Sequence, residues 1–155
     1  MGLRIREGDP FPDLELVLHD GSRARISDFK GKILVVYFYP RAFTPGCTRE
    51  TRKFAEIYEE FKRLGAEVIG VSLDPVDVNS RFALKNKVGF KLASDMEGSA
   101  CKILGILGGL GPLRYAKRVT FIVGPDGRVA RIIKGVKAEE HALRALEEVK
   151  RLLND

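Results

Sequence analysis

Glutamine and tryptophan are absent from this 155-residue chain, asparagine occurs three times, and cysteine and histidine twice each. Two cysteines exclude a secreted disulfide scaffold and any four-cysteine metal site. No apolar run approaches the ~18 residues of a membrane span. The longest without glycine, Ile33 to Tyr39, has the length of a strand. Arg4, Arg6, Glu7 and Asp9 interrupt the amino terminus where a signal sequence would be apolar, so a cytoplasmic protein is expected. Repeats and low-complexity linkers are missing too, and the length fits one domain over 1–155. A chain of this size buries roughly 70% of its unfolded surface and needs no disulfide to hold a core.

The net charge is +6, from 27 basic and 21 acidic side chains. The charges are mixed along the chain, and no basic segment alternates with aromatics, so a nucleic-acid surface is not expected. Scarce amides beside plentiful Lys, Arg and Glu suit a protein working at high temperature, where ion-pair networks gain value.

Leu14 to Leu18 and Arg23 to Ile26 read as two short strands about the turn His19–Ser22, an amino-terminal hairpin. Ser27 is expected to cap a single helical turn at Asp28–Lys30. Ile33–Tyr39 is apolar without alternation, as in a central strand covered on both faces. After Pro40, helical spacing of Phe54, Ile57, Tyr58, Phe61 and Leu64 predicts an amphipathic helix from Cys47 to Gly65. Val68–Leu73 is a second buried strand, and Val78 and Phe82 mark a second helix. Asp95–Leu104 is a third, carrying Cys101. Val119–Val123 and Val129–Ile133 form a hairpin about Pro125-Asp126-Gly127, and Ala142, Leu146, Val149 and Leu153 a closing helix. Parallel crossovers followed by a hairpin predict an α/β, thioredoxin-like fold, a mixed central sheet flanked by helices.

Chemistry concentrates in Tyr39-Pro40-Arg41-Ala42-Phe43-Thr44-Pro45-Gly46-Cys47. The segment joins a buried strand to a helix and puts a cysteine in that helix's first turn. Unpaired amide hydrogens and the positive end of the helix dipole favour negative charge on a sulfur there. The alternative is a small buried hydrophobe, the usual fate of a free cysteine. The loop is similar to a thioredoxin active site with the first cysteine replaced by Thr44. Dithiol exchange within the motif is therefore impossible, whereas a hydroxyl can bond an oxygen-bearing substrate beside the sulfur.

At these residues the chain resembles the peroxiredoxins, whose signature of Pro, three residues, Thr, two residues and Cys is filled by Pro40, Thr44 and Cys47. The wording of Ala42–Thr48 resembles the Q-type, or bacterioferritin comigratory protein, branch. The resemblance implies a thiol peroxidase without metal or organic cofactor. It implies Cys47 as the peroxidatic thiolate that becomes a sulfenic acid, Thr44 as its hydroxyl partner and Pro40 as a wall against water. It implies Arg118 as the arginine entering from a later strand; the lesser alternative for Arg118 alone is a surface ion pair, and Lys117 beside it competes. Glu50 most simply steadies the first helical turn, although the family would have it orient the arginine.

One departure concerns the second thiol. Many members of the branch carry a resolving cysteine five residues after the first or in the next helix, where this chain has Arg52 and the Phe82–Ala83 region. Cys101 therefore stands either as a core residue or as the resolving partner of an intramolecular or intermolecular disulfide. The Gly-rich stretch Gly105–Leu113 follows a helix and fails the context of a phosphate loop; a flap or a contact surface is expected instead. His19 and His141, far in sequence from the cysteine loop, are expected to be structural. The expected partners are a peroxide and a thioredoxin-like or small-thiol reductant, for a monomer or weak homodimer. Two rivals remain: a thiol-disulfide oxidoreductase working through mixed disulfides, and a basic binding protein indifferent to Cys47.

Overall fold

The computed structural model describes residues 2–154. Its strands are β1 (Glu15–Leu18), β2 (Arg23–Arg25), β3 (Ile33–Phe38), β4 (Ala66–Ser72), β5 (Lys91–Ser94), β6 (Leu107–Gly108), β7 (Tyr115–Ala116), β8 (Val119–Val123) and β9 (Val129–Ile133). Its helices are α1 (Pro45–Arg63), α2 (Val76–Lys85), α3 (Ser99–Leu104) and α4 (Glu140–Asn154). Seven strands form one sheet in the order β2-β1-β5-β4-β3-β8-β9. β3, β4 and β5 run parallel, joined by crossovers through α1 and α2, and the remaining pairs are antiparallel. This is the thioredoxin-like arrangement expected from the element order.

β3 is wholly buried because it lies between β4 and β8 with helices or loops on both faces. Its side chains divide by alternation. Ile33, Val35 and Tyr37, with Tyr39 just beyond the strand, join the core under α1, α2 and α4, where Phe54, Phe61, Phe82 and Val149 pack. Leu34, Val36 and Phe38 join the opposite core with Phe11, Leu16, Cys101 and Leu104. Each large apolar side chain so buried contributes about 1.5–3 kcal/mol by removal from water. Packing on both faces thus fixes where β3 ends, and with it the start of the cysteine loop.

Three expectations change. β5 has no β-branched residue, so Lys91–Ser94 gave no strand signal. It pairs antiparallel with β1 and so joins the amino-terminal hairpin to the main sheet. Ser27 does not cap its turn; Asp28 accepts the Arg25 amide at 2.8 Å, while Ser27 bonds Asp13 through both amide and hydroxyl. The third helix begins at Ser99 because Gly98 is left-handed, and Asp95 instead caps it from outside, accepting the amides of Ala100 and Cys101.

The Gly-rich stretch folds as the two-stranded ribbon β6–β7 closed by a single turn at Gly111–Leu113. Gly109 has φ 74°, and a β-carbon there would stand 2.3 Å from the Leu113 carbonyl oxygen, so only glycine lets this ribbon close.

Candidate active site

The parallel strands β3 and β4 end at the same edge, which is where ligands bind in such sheets. α1 begins at Pro45, two residues earlier than its apolar spacing indicated, because proline suits the first helical position. Cys47 is therefore the third helical residue, and it is fully buried. Thr44 occupies the cap position but does not cap. Its hydroxyl donates to the Arg41 carbonyl at 2.6 Å, leaving the positive end of the helix without a side-chain acceptor.

Two donors converge on the sulfur. The Arg41 amide lies 3.5 Å from Cys47 Sγ, and Arg118 Nη2, arriving from the segment before β8, also lies at 3.5 Å. Both favour negative charge on the sulfur. Gly46 permits the second approach: a β-carbon there would stand 3.1 Å from Arg118 Nη2. Lys117, by contrast, is exposed. Arg118 is no surface pair either, since its Nη1 bonds Oε1 of Glu50, which is fully buried. Glu50 is the sixth residue of α1, outside the first turn, so the helix-terminus role does not apply.

Burial pushes the Glu50 carboxyl up to about 8 against the opposing pull of Arg118. Burial, then Arg118 and Arg144, push the nearby His141 down to about 4. Their effects on stability have opposite signs. Between 4.5 and about 8 the folded state holds a proton on Glu50 that the unfolded chain has lost, so this group makes stability fall as pH rises. Between about 4 and 6.5 the unfolded chain protonates His141 and the folded one does not, so this group makes stability rise with pH. From 6.5 to 8 Glu50 acts without that opposition. Glu50→Gln should flatten the decline in stability over that window, as urea unfolding at several pH values would measure.

The loop is tied from β4. Asp74 accepts the Ala42 amide and the Ser72 hydroxyl, both at 2.8 Å. Phe43 is held with φ 68°, a conformation that costs of order 1–3 kcal/mol, while its ring meets Phe82 at 5.2 Å. Pro40 and Arg41 line a pocket of about 270 Å³ with Leu73, Met96, Pro112 and Arg114. The Gly-rich ribbon thus forms part of its wall. Cys47 does not line it and is itself fully buried; Pro40, Thr44 and Arg118 are half-buried. A slightly larger cavity, about 300 Å³, lies by Lys32 and Leu34 at the other end of β3 and is lined by no cysteine.

Cys101 is buried in the core on the opposite face of the sheet from Cys47. Burial, and then Asp95, push its thiol well above the ordinary range. A bond between the two sulfurs would require local unfolding. Arg41, Asp74, Thr120 and His141 also belong to this region and were not singled out from the sequence as part of it. Asp74 is the second residue after β4, a strand that ends beside β3, a placement that could have flagged it. His141, remote in sequence, comes within 3.8 Å of Glu50. Among the described residues no helix is long and apolar enough to cross a membrane.

Residues 7–132 match the AhpC/TSA family. Peroxiredoxin Bcp of Bacillus subtilis (strain 168) is 35% identical over 96% of this chain and 97% of its own. Peroxiredoxin Bcp of Escherichia coli (strain K12) is 32% identical over 88% and 90%. Among solved structures, peroxidoxin BcpB of Mycobacterium tuberculosis superposes with a TM-score of 0.91, at 32% identity over 96% of this chain and 99% of that one. The Xanthomonas campestris bacterioferritin comigratory protein, described for its alkyl peroxide reduction activity, gives 0.86 at 30% identity over 97% and 98%. Matched along most of its length in sequence and in fold, this chain belongs to the AhpC/TSA family, in the branch of the Bcp and Q-type peroxiredoxins.

Proposed function

We propose that the protein is a cytoplasmic thiol peroxidase of one domain over 1–155, with Cys47 as its peroxidatic residue. The observation that carries this reading is the convergence of the Arg118 guanidinium and the Arg41 amide on a sulfur in the first turn of α1. The thiolate attacks the terminal oxygen of a hydroperoxide; an S–O bond forms as the O–O bond breaks. Two electrons pass from sulfur to the leaving oxygen, which departs as hydroxide or alkoxide and takes up a proton. Cys47 is left as a sulfenic acid. Arg118 stabilises charge on the sulfur first and on the leaving oxygen afterwards. The hydrogen of the Thr44 hydroxyl is committed to the Arg41 carbonyl, so its lone pairs accept the O–H of the hydroperoxide and aim it at the sulfur. Pro40 shields the product from water.

Reduction then falls to an outside thiol. With Cys101 buried across the sheet, a thioredoxin-like or small thiol condenses with the sulfenic acid, releasing water. A second thiol group breaks the mixed disulfide. The chain needs no partner subunit for this chemistry, in keeping with a monomer or weak homodimer.

Thr44 provides the discriminating test. Thr44→Val removes the hydroxyl at constant volume and should lower the second-order rate constant with hydrogen peroxide by about 10²-fold, whereas Thr44→Ser retains most of it. A thiol-disulfide oxidoreductase would be insensitive to either change. Stopped-flow consumption of peroxide with excess dithiothreitol measures both, and an unchanged rate for Thr44→Val would sink the assignment.

A further inference from the structure

Behind Arg118 lies a deeper layer of polar side chains that this reaction does not use. Glu50 reaches Arg118 through Oε1, while its Oε2 is buried with no hydrogen-bond partner. Facing Oε2 at 3.8 Å is Nδ1 of His141, a buried residue in the first turn of α4. The same nitrogen lies 2.9 Å from the Thr120 hydroxyl, and Nε2 has no partner. Among the described residues, Glu50 Oε2 and His141 Nε2 are the two buried side-chain polar atoms without a partner, and both fall in this cluster.

The tautomer of His141 follows from what burial penalises. A proton on Nε2 would leave a buried N–H without an acceptor, which is the rarer and costlier defect. A proton on Nδ1 satisfies the donor and leaves lone pairs alone unpaired. Nδ1–H then faces two acceptors, Thr120 Oγ1 at bonding distance and Glu50 Oε2 slightly beyond it. A small turn of the ring transfers it from one to the other.

We infer that His141 is a positioning residue of the peroxidatic centre: its Nδ1–H, shared between Thr120 and Glu50, steadies the Glu50 carboxyl group that holds Arg118 on Cys47. The inference rests on the proposed role of Cys47 only for its effect on peroxide. Glu50 is faced by Tyr37 from β3, by Tyr39 just after it, by Arg118 from the approach to β8, and by His141 from α4, with Cys47 three residues earlier on α1 and Arg144 near His141. Since His141 is held neutral, the pair is not an ion pair near neutral pH, and Glu50 is the member whose charge changes there.

Two experiments test this. The first needs no variant: ¹⁵N correlation of the two histidine rings in the native protein should show His141 as the Nδ1–H tautomer, shifting as Glu50 titrates. An Nε2–H tautomer would overturn the inference. The second compares His141→Phe with His141→Asn, whose amide nitrogen stands near the place of Nδ1. His141→Phe should slow Cys47 oxidation by hydrogen peroxide about tenfold at neutral pH and displace its pH profile, and His141→Asn should restore most of both. Wild-type rates and superimposable profiles for His141→Phe would overturn it. Ultraviolet titration of the Cys47 thiolate in a Cys101→Ala background, without peroxide, separates the two readings. A midpoint displaced by His141→Phe in a protein inert to peroxide would support the positioning role while ending the peroxidase assignment.

Discussion

Cys47→Ser should lower peroxide turnover by at least ~10⁴-fold, to the background of the thiol reductant alone, because a serine hydroxyl is neither ionised nor oxidisable at neutral pH. Cys101→Ala should leave turnover with an external thiol within about twofold, since Cys101 lies across the sheet and its thiol is held protonated. The asymmetry matters more than either number. Both cysteines are buried, yet only Cys47 stands in the first turn of a helix with a guanidinium and an amide on its sulfur. If the two substitutions proved equally damaging, Cys101 would have to be a resolving residue, and the opening of the sheet's two faces would become an obligatory step. Peroxide consumption with dithiothreitol, measured on both variants, decides between these outcomes.

The second large effect concerns Arg118. Arg118→Leu removes the positive charge from the sulfur and from the position of the leaving oxygen, and should cost about 10²–10³-fold in the second-order rate constant. It also strands Glu50, which is fully buried. Because the Glu50 carboxyl already titrates near 8, the stranded group takes up a proton, so the loss of stability should be small at pH 6 and grow towards pH 9. Adding Glu50→Gln to Arg118→Leu should recover the stability but not the rate. A double variant that recovered both would mean that Arg118 serves the fold alone. Stopped-flow kinetics beside urea unfolding of the single and double variants makes the distinction.

Much of this was legible in the sequence because the decisive features are local. β3, β8 and β9 announce themselves as apolar or β-branched runs, and the strand-to-helix loop holds Pro40, Thr44 and Cys47 within eight consecutive residues. β5 was not legible, since Lys91-Leu92-Ala93-Ser94 is a strand by virtue of the neighbours β1 and β4. The role of Glu50 was misread for a related reason: spacing from Cys47 placed it near a helix terminus, but the helix starts at Pro45, and what buries the carboxylate is the packing of α1 against α4. His141 is the extreme case. Nothing near it in the chain marks it, and its place beside Glu50 exists only once α4 closes over the sheet. Long-range juxtapositions of this kind carry no periodic signature.

The central claim, that Cys47 gives its electrons to a peroxide, is tested most directly by the intact mass of the reduced protein after about one equivalent of hydrogen peroxide with no reductant present. The predicted result is the gain of oxygen, confined on peptide mapping to Cys47, with the chain otherwise unchanged. Loss of two hydrogens would contradict the one-cysteine cycle and require the two faces of the sheet to open. An unchanged mass would contradict the peroxidase itself.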